Sequence, residues 1–136
     1  MPSLDNMMLR QIIMDHYENP RNHELVEDDS YKKVNMDSET CIDNIDIQAK
    51  IENGVIEDIR FDGEACAICT SSTSIMTELL IGKTIDEARL IIENYMNMIF
   101  EKDYDSEILE EAIAFYNTHK QANRIKCATL GWKGIT

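Results

Sequence analysis

Cysteine and aspartate are the residue types in this sequence best suited to metal and sulfur chemistry. Cys41 and Asp43 are separated by one residue, so in an extended chain their side chains point to the same side. Cys66 and Cys127 follow far along the chain. Thiolates and carboxylates are accepted zinc ligands, and four of them complete a tetrahedral site. These four residues are sufficient to bind one zinc ion, although their long spacing matches no short zinc-binding pattern.

Cys66 and Cys69 have the C-x-x-C spacing of thiol–disulfide redox proteins. In those proteins the first cysteine lies at the N-terminus of a helix, whose dipole lowers the pKa of the thiol. Here both cysteines belong to the short apolar run 65–69, which we predict to be a strand. Their side chains would then point to opposite faces, so we interpret Cys69 as a buried apolar residue rather than a redox partner. We likewise interpret His16 as a structural histidine.

Hydrophobic spacing predicts a helix well before the first cysteine. Over residues 4–17 apolar side chains recur at helical intervals, Tyr17 among them, and predict a stripe that faces the core. Pro20 disfavours helical geometry in the residue before it, so the helix should end there. Residues 21–40 are polar and irregular, and we expect a loop that leads to Cys41.

The middle of the chain predicts a small sheet. Apolar and polar residues alternate over 45–51, which is typical of a half-buried strand. Asn53 and Gly54 suit the positive φ angles of a type I′ turn, and 55–62 would return as the second strand. With 65–69 as the third strand, the sheet is a three-stranded antiparallel meander.

The second half of the chain predicts helices. Thr84 and Glu87 form a capping box at the start of one of them. We expect four helices in this half, over residues 70–81, 84–100, 105–116 and 122–132. Strands followed by helices indicate an α+β fold, in which the helices pack on one face of the three-stranded antiparallel sheet.

Composition narrows the classes of function. The 136 residues suit one domain, 1–136, and a net charge of -13 disfavours nucleic-acid binding because phosphate backbones are repelled. No apolar run approaches the roughly 20 residues that cross a bilayer, so we expect no membrane role. The first ten residues lack the basic and apolar regions of a signal peptide. We therefore expect a cytoplasmic protein whose cysteines stay reduced.

Several segments together resemble the SufU branch of the IscU/NifU N-terminal family of iron–sulfur cluster assembly proteins. They are Leu9–Tyr17 with Asn19–Asn22, Thr40–Asp43, Phe61–Cys66 with Ser72–Ser74, and Arg124–Leu130 with Trp132–Lys133. Their order and spacing match the family over nearly the whole chain. The resemblance implies the same SufE/NifU-like α+β fold. It also implies that Cys41, Asp43, Cys66 and Cys127 bind zinc or hold a nascent cluster.

Two features make the chain more similar to SufU than to the IscU scaffolds. The scaffold branch has a histidine immediately before its last cysteine, whereas this chain has Lys126. The chain also has an extra helical stretch, roughly 97–120, similar to the SufU insertion. The chain departs from the family pattern at Ile42, where the family usually has glycine. The resemblance implies a zinc-dependent sulfur acceptor that works with a cysteine desulfurase and with downstream iron–sulfur assembly machinery.

The resemblance also suggests a role for each site residue. Cys41 would attack the terminal sulfur of a desulfurase persulfide, by analogy with thiol–disulfide exchange. Arg124, about one helical turn before Cys127, would hydrogen-bond a thiolate or the incoming persulfide. Cys66 and Cys127 would remain structural ligands. The chain would then be a sulfurtransferase-like persulfide acceptor rather than a stand-alone enzyme.

Two other functions stay open from the sequence alone. A cluster scaffold would hold a nascent [2Fe-2S] cluster in place of zinc. A structural zinc domain would bind the ion without transferring sulfur. Visible absorbance after anaerobic reconstitution would identify the scaffold, and metal binding that leaves desulfurase turnover unchanged would identify the structural domain.

Overall fold

The computed structural model describes residues 6–38, 42–118 and 122–135 of the chain. Its helices are α1 (Asn6–Glu18), α2 (Ala67–Leu80), α3 (Ile85–Ile99) and α4 (Ala122–Lys133). Its strands are β1 (Lys32–Asp37), β2 (Asn44–Glu52) and β3 (Val55–Glu64). A 3₁₀ segment, Glu107–Phe115, lies between α3 and α4. The predicted α+β class is confirmed.

The sheet is antiparallel with the strand order β1-β2-β3. The hairpin between β2 and β3 turns at Asn53 and Gly54, whose φ angles are 54° and 75°, as the sequence predicts. The third strand is β1 rather than 65–69, so the prediction of a loop throughout 21–40 is wrong. Because β1 lies at the sheet edge and is mostly exposed, its sequence carries no hydrophobic alternation.

Helix α2 occupies the place where the sequence predicts the third strand. It begins at Ala67, three residues before the predicted start, and most of its residues are buried. A short apolar run fits a buried helix as well as a buried strand, and here the helix is correct. The hydroxyl residues of α2 are buried with it: Thr70, Ser71, Ser72, Thr73, Ser74 and Thr77.

The buried face of α1 differs slightly from the predicted stripe. Leu9 is buried and Ile12 packs against the core, as predicted, but Tyr17 is 46% exposed. His16 is fully buried instead. Residues seven apart lie on the same side of a helix, so Leu9 and His16 share the face that packs on α2. The buried stripe therefore includes a polar residue, which an apolar pattern does not reveal.

The later helices follow the prediction more closely. Thr84 and Glu87 form the expected capping box, with Thr84 Oγ1 accepting the Glu87 N–H at 3.2 Å and Glu87 Oε1 accepting the Thr84 N–H at 3.1 Å. The helix expected over 105–116 is a 3₁₀ segment, interrupted at Glu110, whose φ is 47° and ψ is -124°. In the described ranges, no helix combines the length and apolar character needed to span a bilayer.

Candidate metal centre

Three of the four predicted ligands meet at one place in the structure. One ligand atom each from Asp43, Cys66 and Cys127 lies within 4.8 Å of the other two. The residues come from the turn before β2, the residue before α2 and the middle of α4, so the fold brings together distant parts of the chain. Cys41 lies outside the described residues, and its position is not part of this geometry.

Asp43 is fully buried beside the N-terminus of α2. Its Oδ1 accepts the backbone N–H of Cys66 at 2.7 Å, and its Oδ2 lies 3.8 Å from Cys66 Sγ. Its backbone carbonyl accepts the N–H of Ser38, the residue after β1. The backbone thus fixes both the residue and the direction of its carboxylate.

Cys66 is the N-cap of α2 and not a strand residue. Its Sγ accepts the backbone N–H of Cys69 at 3.4 Å, and the positive end of the helix dipole favours an anion there. The strand-based argument against a redox pair is therefore wrong, because the first cysteine does lie at a helix N-terminus. Cys69 itself is fully buried in the core, as predicted.

Cys127 lies on the buried face of α4, close to the other two ligands. Burial raises the pKa of its thiol well above the ordinary cysteine value, and the neighbouring Cys66 thiol and Asp43 carboxylate raise it further. Without a cation, the thiolate form is therefore disfavoured. A bound dication would reverse this preference, since a coordinating thiol is deprotonated.

A buried hydrogen-bonded group fixes α4 next to Cys127. The backbone carbonyl of Ala128 accepts hydrogen bonds from Ser72 Oγ at 2.6 Å and from Tyr95 OH at 2.7 Å. Trp132 Nε1 donates to Ser72 Oγ at 3.0 Å, and its ring stacks on Tyr95 with centroids 3.8 Å apart. Sequence reasoning missed this group, although the run of small hydroxyl residues in α2 is a signal for close helix packing.

Arg124, the other predicted functional residue, lies on α4 one turn before Cys127. It lines a cavity of about 440 Å³ together with Ile68 from the first turn of α2, Leu9 and Arg10 from α1, and residues that follow the 3₁₀ segment. Arg124 thus borders an open space that begins beside the Cys66 end of α2. The role in binding a persulfide stays a prediction.

The donors at this site fit a zinc ion. Ligands about 2.0–2.3 Å from a tetrahedral zinc lie roughly 3.3–3.8 Å apart, and the distance from Cys66 Sγ to Asp43 Oδ2 is 3.8 Å. Among the described residues, no lysine, arginine or histidine forms an ion pair with the buried Asp43. A buried carboxylate without a cation is costly, and a dication held with the two thiols would offset that cost.

Residues 8–133 match the family model of the NifU-like N terminal domain. The chain belongs to this family. The family resemblance inferred from the sequence motifs is therefore confirmed.

Two curated relatives extend over most of the chain. The zinc-dependent sulfurtransferase SufU of Bacillus subtilis (strain 168) is 40% identical over 129 residues, which cover 94% of this chain and 86% of that protein. The iron–sulfur cluster assembly scaffold protein IscU of Streptococcus pyogenes serotype M1 is 32% identical over 131 residues, which cover 96% and 81%. The similarity to SufU agrees with the branch suggested by Lys126.

A solved structure shares the fold. FiSufU of Fervidobacterium islandicum AW-1, described as an iron–sulfur cluster assembly scaffold for the SUF system, superposes with a TM-score of 0.84 and 31% sequence identity. The match covers 92% of this chain and 91% of that one. The three-stranded sheet and its helices therefore form the architecture of this family.

Proposed function

We propose that this chain is a zinc-dependent sulfur acceptor in iron–sulfur cluster assembly, with Cys41, Asp43, Cys66 and Cys127 as the zinc ligands. The observation that carries the proposal is the convergence of a buried carboxylate and two thiols within 4.8 Å. The 40% identity to the zinc-dependent sulfurtransferase SufU supports zinc and sulfur transfer in particular. In this proposal the partners are a cysteine desulfurase and the assembly machinery that receives the sulfur.

The transfer step assigned to Cys41 is a thiol–disulfide type exchange. Its thiolate attacks the terminal sulfur of the desulfurase persulfide, the donor S–S bond breaks, and the donor cysteine leaves as a thiolate. Cys41 then carries the persulfide, and no net oxidant is needed. When bound, zinc would keep the ligand thiols deprotonated. Cys66, the N-cap of α2, and Cys127, in the middle of α4, would hold the ion while Cys41 exchanges.

Arg124 is proposed to orient the incoming persulfide. It borders the cavity that begins at Ile68, two residues after Cys66. A guanidinium carries a permanent positive charge, which would attract the anionic persulfide in a chain whose net charge is -13. The effect expected for Arg124→Ala is a slower transfer with unchanged zinc content.

Transfer of labelled sulfur tests the proposal. The zinc-loaded protein would be mixed with a cysteine desulfurase and labelled cysteine, and persulfide sulfur on this chain would be measured by mass spectrometry. We expect transfer by the wild type and by Cys69→Ser, which changes a buried cysteine outside the ligand set, and none by Cys41→Ala. Transfer that survives Cys41→Ala would rule out the assignment.

The second candidate function is a scaffold that binds a nascent [2Fe-2S] cluster, and it is favoured by the 32% identity to the IscU scaffold protein. Three cysteines and an aspartate are also an acceptable cluster ligand set, since thiolates bind iron–sulfur clusters. Anaerobic reconstitution with iron and sulfide distinguishes the two. A stable visible chromophore with two irons per chain would favour the scaffold over the sulfur acceptor.

We further propose that residues 1–136 form one domain that works in the cytoplasm. The single core that joins the sheet to α2, α3 and α4, together with the family match over residues 8–133, supports one domain. Sulfur transfer requires reduced thiols, and the cytoplasm keeps them reduced. Limited proteolysis that released a stable fragment with its own core would contradict the single domain.

A further inference from the structure

A second group of metal-ligating side chains lies at the other end of α2. His16 of α1, Glu78 of α2 and Glu111 of the 3₁₀ segment each place one ligand atom within 4.8 Å of the other two. Glu78 is twelve residues beyond Cys66, which is roughly 18 Å along a helix. This group is therefore separate from the thiol site and shares no residue with it.

His16 is fully buried, and each of its two ring nitrogens lies near a polar side chain. Nδ1 lies 2.8 Å from Ser74 Oγ, which also accepts the backbone N–H of Arg21. This contact fixes the plane of the ring, and in the tautomer that carries its proton on Nδ1 the lone pair of Nε2 points to the opposite side, toward the two carboxylates. This is the usual arrangement of a metal-ligating histidine, in which an outer hydrogen bond fixes the tautomer and the ring.

The spacing around Nε2 suits an ion better than a direct hydrogen bond. Nε2 lies 3.5 Å from Glu111 Oε1 and 3.9 Å from Glu78 Oε1. Hydrogen bonds from a ring nitrogen to a carboxylate oxygen are about 2.7–3.2 Å long. Nitrogen and oxygen ligands about 2.1 Å from one tetrahedral ion are about 3.4 Å apart. The distance to Glu111 matches the second value, and Glu78 would move in by a few tenths of an ångström.

Charge and space also favour a cation here. Two carboxylates that approach this closely repel each other unless a positive charge lies between or beside them. The guanidinium of Arg21 lies beside this pair, with Nε 3.6 Å from Glu78 Oε1, and its charge also acts on Glu111, but its shortest ion pair is with Asp15 at 2.6 Å. One cation shared among three carboxylates offsets only part of their repulsion. A cavity of about 220 Å³ adjoins the carboxylates and is lined by Glu78, Glu110 and Glu111, with Ile75 and Leu79. The cavity leaves space for water ligands on the carboxylate side of the site.

We propose that His16, Glu78 and Glu111 form a second divalent-cation site, which ties α1, α2 and the 3₁₀ segment together. One imidazole and two carboxylates form a hard, open ligand set that suits Mn²⁺, Fe²⁺ or Zn²⁺, whereas the thiols of the other site select Zn²⁺. The two sites on α2 therefore differ in the ions that they prefer. The proposal of this second site does not depend on sulfur transfer by the thiol site.

Manganese binding to the zinc-loaded protein tests the second site. One equivalent of Zn²⁺ is added first to fill the thiol site, and Mn²⁺ is then titrated while free Mn²⁺ is followed by electron paramagnetic resonance. We expect one Mn²⁺ per chain. Glu78→Gln and Glu111→Gln should each weaken its binding at least tenfold and leave the zinc content unchanged. Both side chains are about half exposed, so neither substitution is expected to prevent folding.

Glu110→Gln is the matched control, because Glu110 lines the same cavity but is not one of the three ligands. Manganese affinity that stays within twofold of wild type in this variant supports a defined site. A wild-type protein that binds no Mn²⁺ at concentrations near its own overturns the proposal. Equal weakening by all three glutamine variants also overturns it, since that result means attraction by a general acidic surface.

Discussion

The two sides of the candidate metal centre are built differently. On the helical side, Cys127 precedes Ala128, whose carbonyl accepts two buried hydrogen bonds, from Ser72 and Tyr95. On the loop side, Asp43 is held by backbone bonds, but its neighbour Ile42 is 67% exposed. The helical side is enclosed by the core, whereas the loop side borders solvent. Ligand exchange is therefore expected on the loop side, which also includes Cys41 in the sequence.

Loss of the helical ligand is expected to have the largest effect. Cys127→Ser should reduce zinc affinity about 100-fold or more, since one of four ligands supplies about a quarter of the 10–16 kcal/mol typical of structural zinc sites. Zinc binding must release the Cys127 proton, whose pKa is raised by burial, so affinity should fall as pH is lowered. Competition with a chromophoric chelator at several pH values measures both effects. An affinity within threefold of wild type would contradict the ligand role.

The second largest effect is expected from a substitution that disturbs the packing of α4 against α2. A Cβ at Gly131 would lie 2.9 Å from Thr73 Cγ2 and would also clash with Thr73 Oγ1. Gly131→Ala is expected to lower the free energy of unfolding by up to about 3 kcal/mol, because neither helix can move without disturbing the core. Urea unfolding measures the change.

The double variant Thr73→Ala/Gly131→Ala is the control for this contact. Removing the Thr73 hydroxyl and methyl makes room for the new Cβ, so the double variant should regain part of the lost stability. Two effects that simply add would show that the helices are not in close contact at this point.

The hydrogen bonds of Ser72 should contribute a smaller amount. Ser72→Ala leaves the Trp132 N–H without its acceptor and removes one of the two donors to Ala128, so a loss of about 1–2 kcal/mol in unfolding free energy is expected. Ser71→Ala is the matched control, because Ser71 Oγ donates to the carbonyls of Ala67 and Ile68, both within α2. The control should change stability by less than about 0.5 kcal/mol. Equal losses of unfolding free energy in the two variants would show that the hydrogen bonds from Ser72 to α4 do not contribute to stability.

A substitution on the loop side is expected to change the rate of zinc release more than the free energy of unfolding. Ile42→Gly introduces the residue that the family resemblance implies at this position and gives the loop more conformational freedom. We expect faster release of zinc to a chelator, with the free energy of unfolding lowered by no more than about 1 kcal/mol. Stopped-flow absorbance of the chelator measures the rate. A rate equal to that of the wild type would show that the two sides of the site do not differ in this way.

The elements best predicted from the sequence are those with a one-sided hydrophobic pattern. β2, β3 and α3 each bury one face, so their periods of two or 3.6 residues are visible in the sequence. β1 is exposed on most positions and α2 is buried on most, so neither has a clear period. This is why the sequence predicts the third strand at 65–69 instead of 32–37.

Residue type and family motifs predict four metal ligands, and the structure places three of these residues within 4.8 Å of one another. Cys66 is a helix N-cap because α2 begins at Ala67. The apolar run 65–69 fits a strand or a helix equally well, so the sequence does not reveal this position of Cys66. The group of His16, Glu78 and Glu111 was not predicted at all. Its members are far apart in the chain, and only the packing of α1 and the 3₁₀ segment on α2 brings them together.

The two edges of the sheet differ in how they are protected from pairing with other chains. On the outer side of β3, Ile56 and Phe61 form backbone hydrogen bonds with Lys83 and Asn22, so this edge is already occupied. The other edge is β1, a short strand rich in lysine and other polar residues, which discourages an incoming strand. Both edges of the sheet therefore oppose the addition of a strand from another molecule, which disfavours edge-to-edge aggregation of the folded protein.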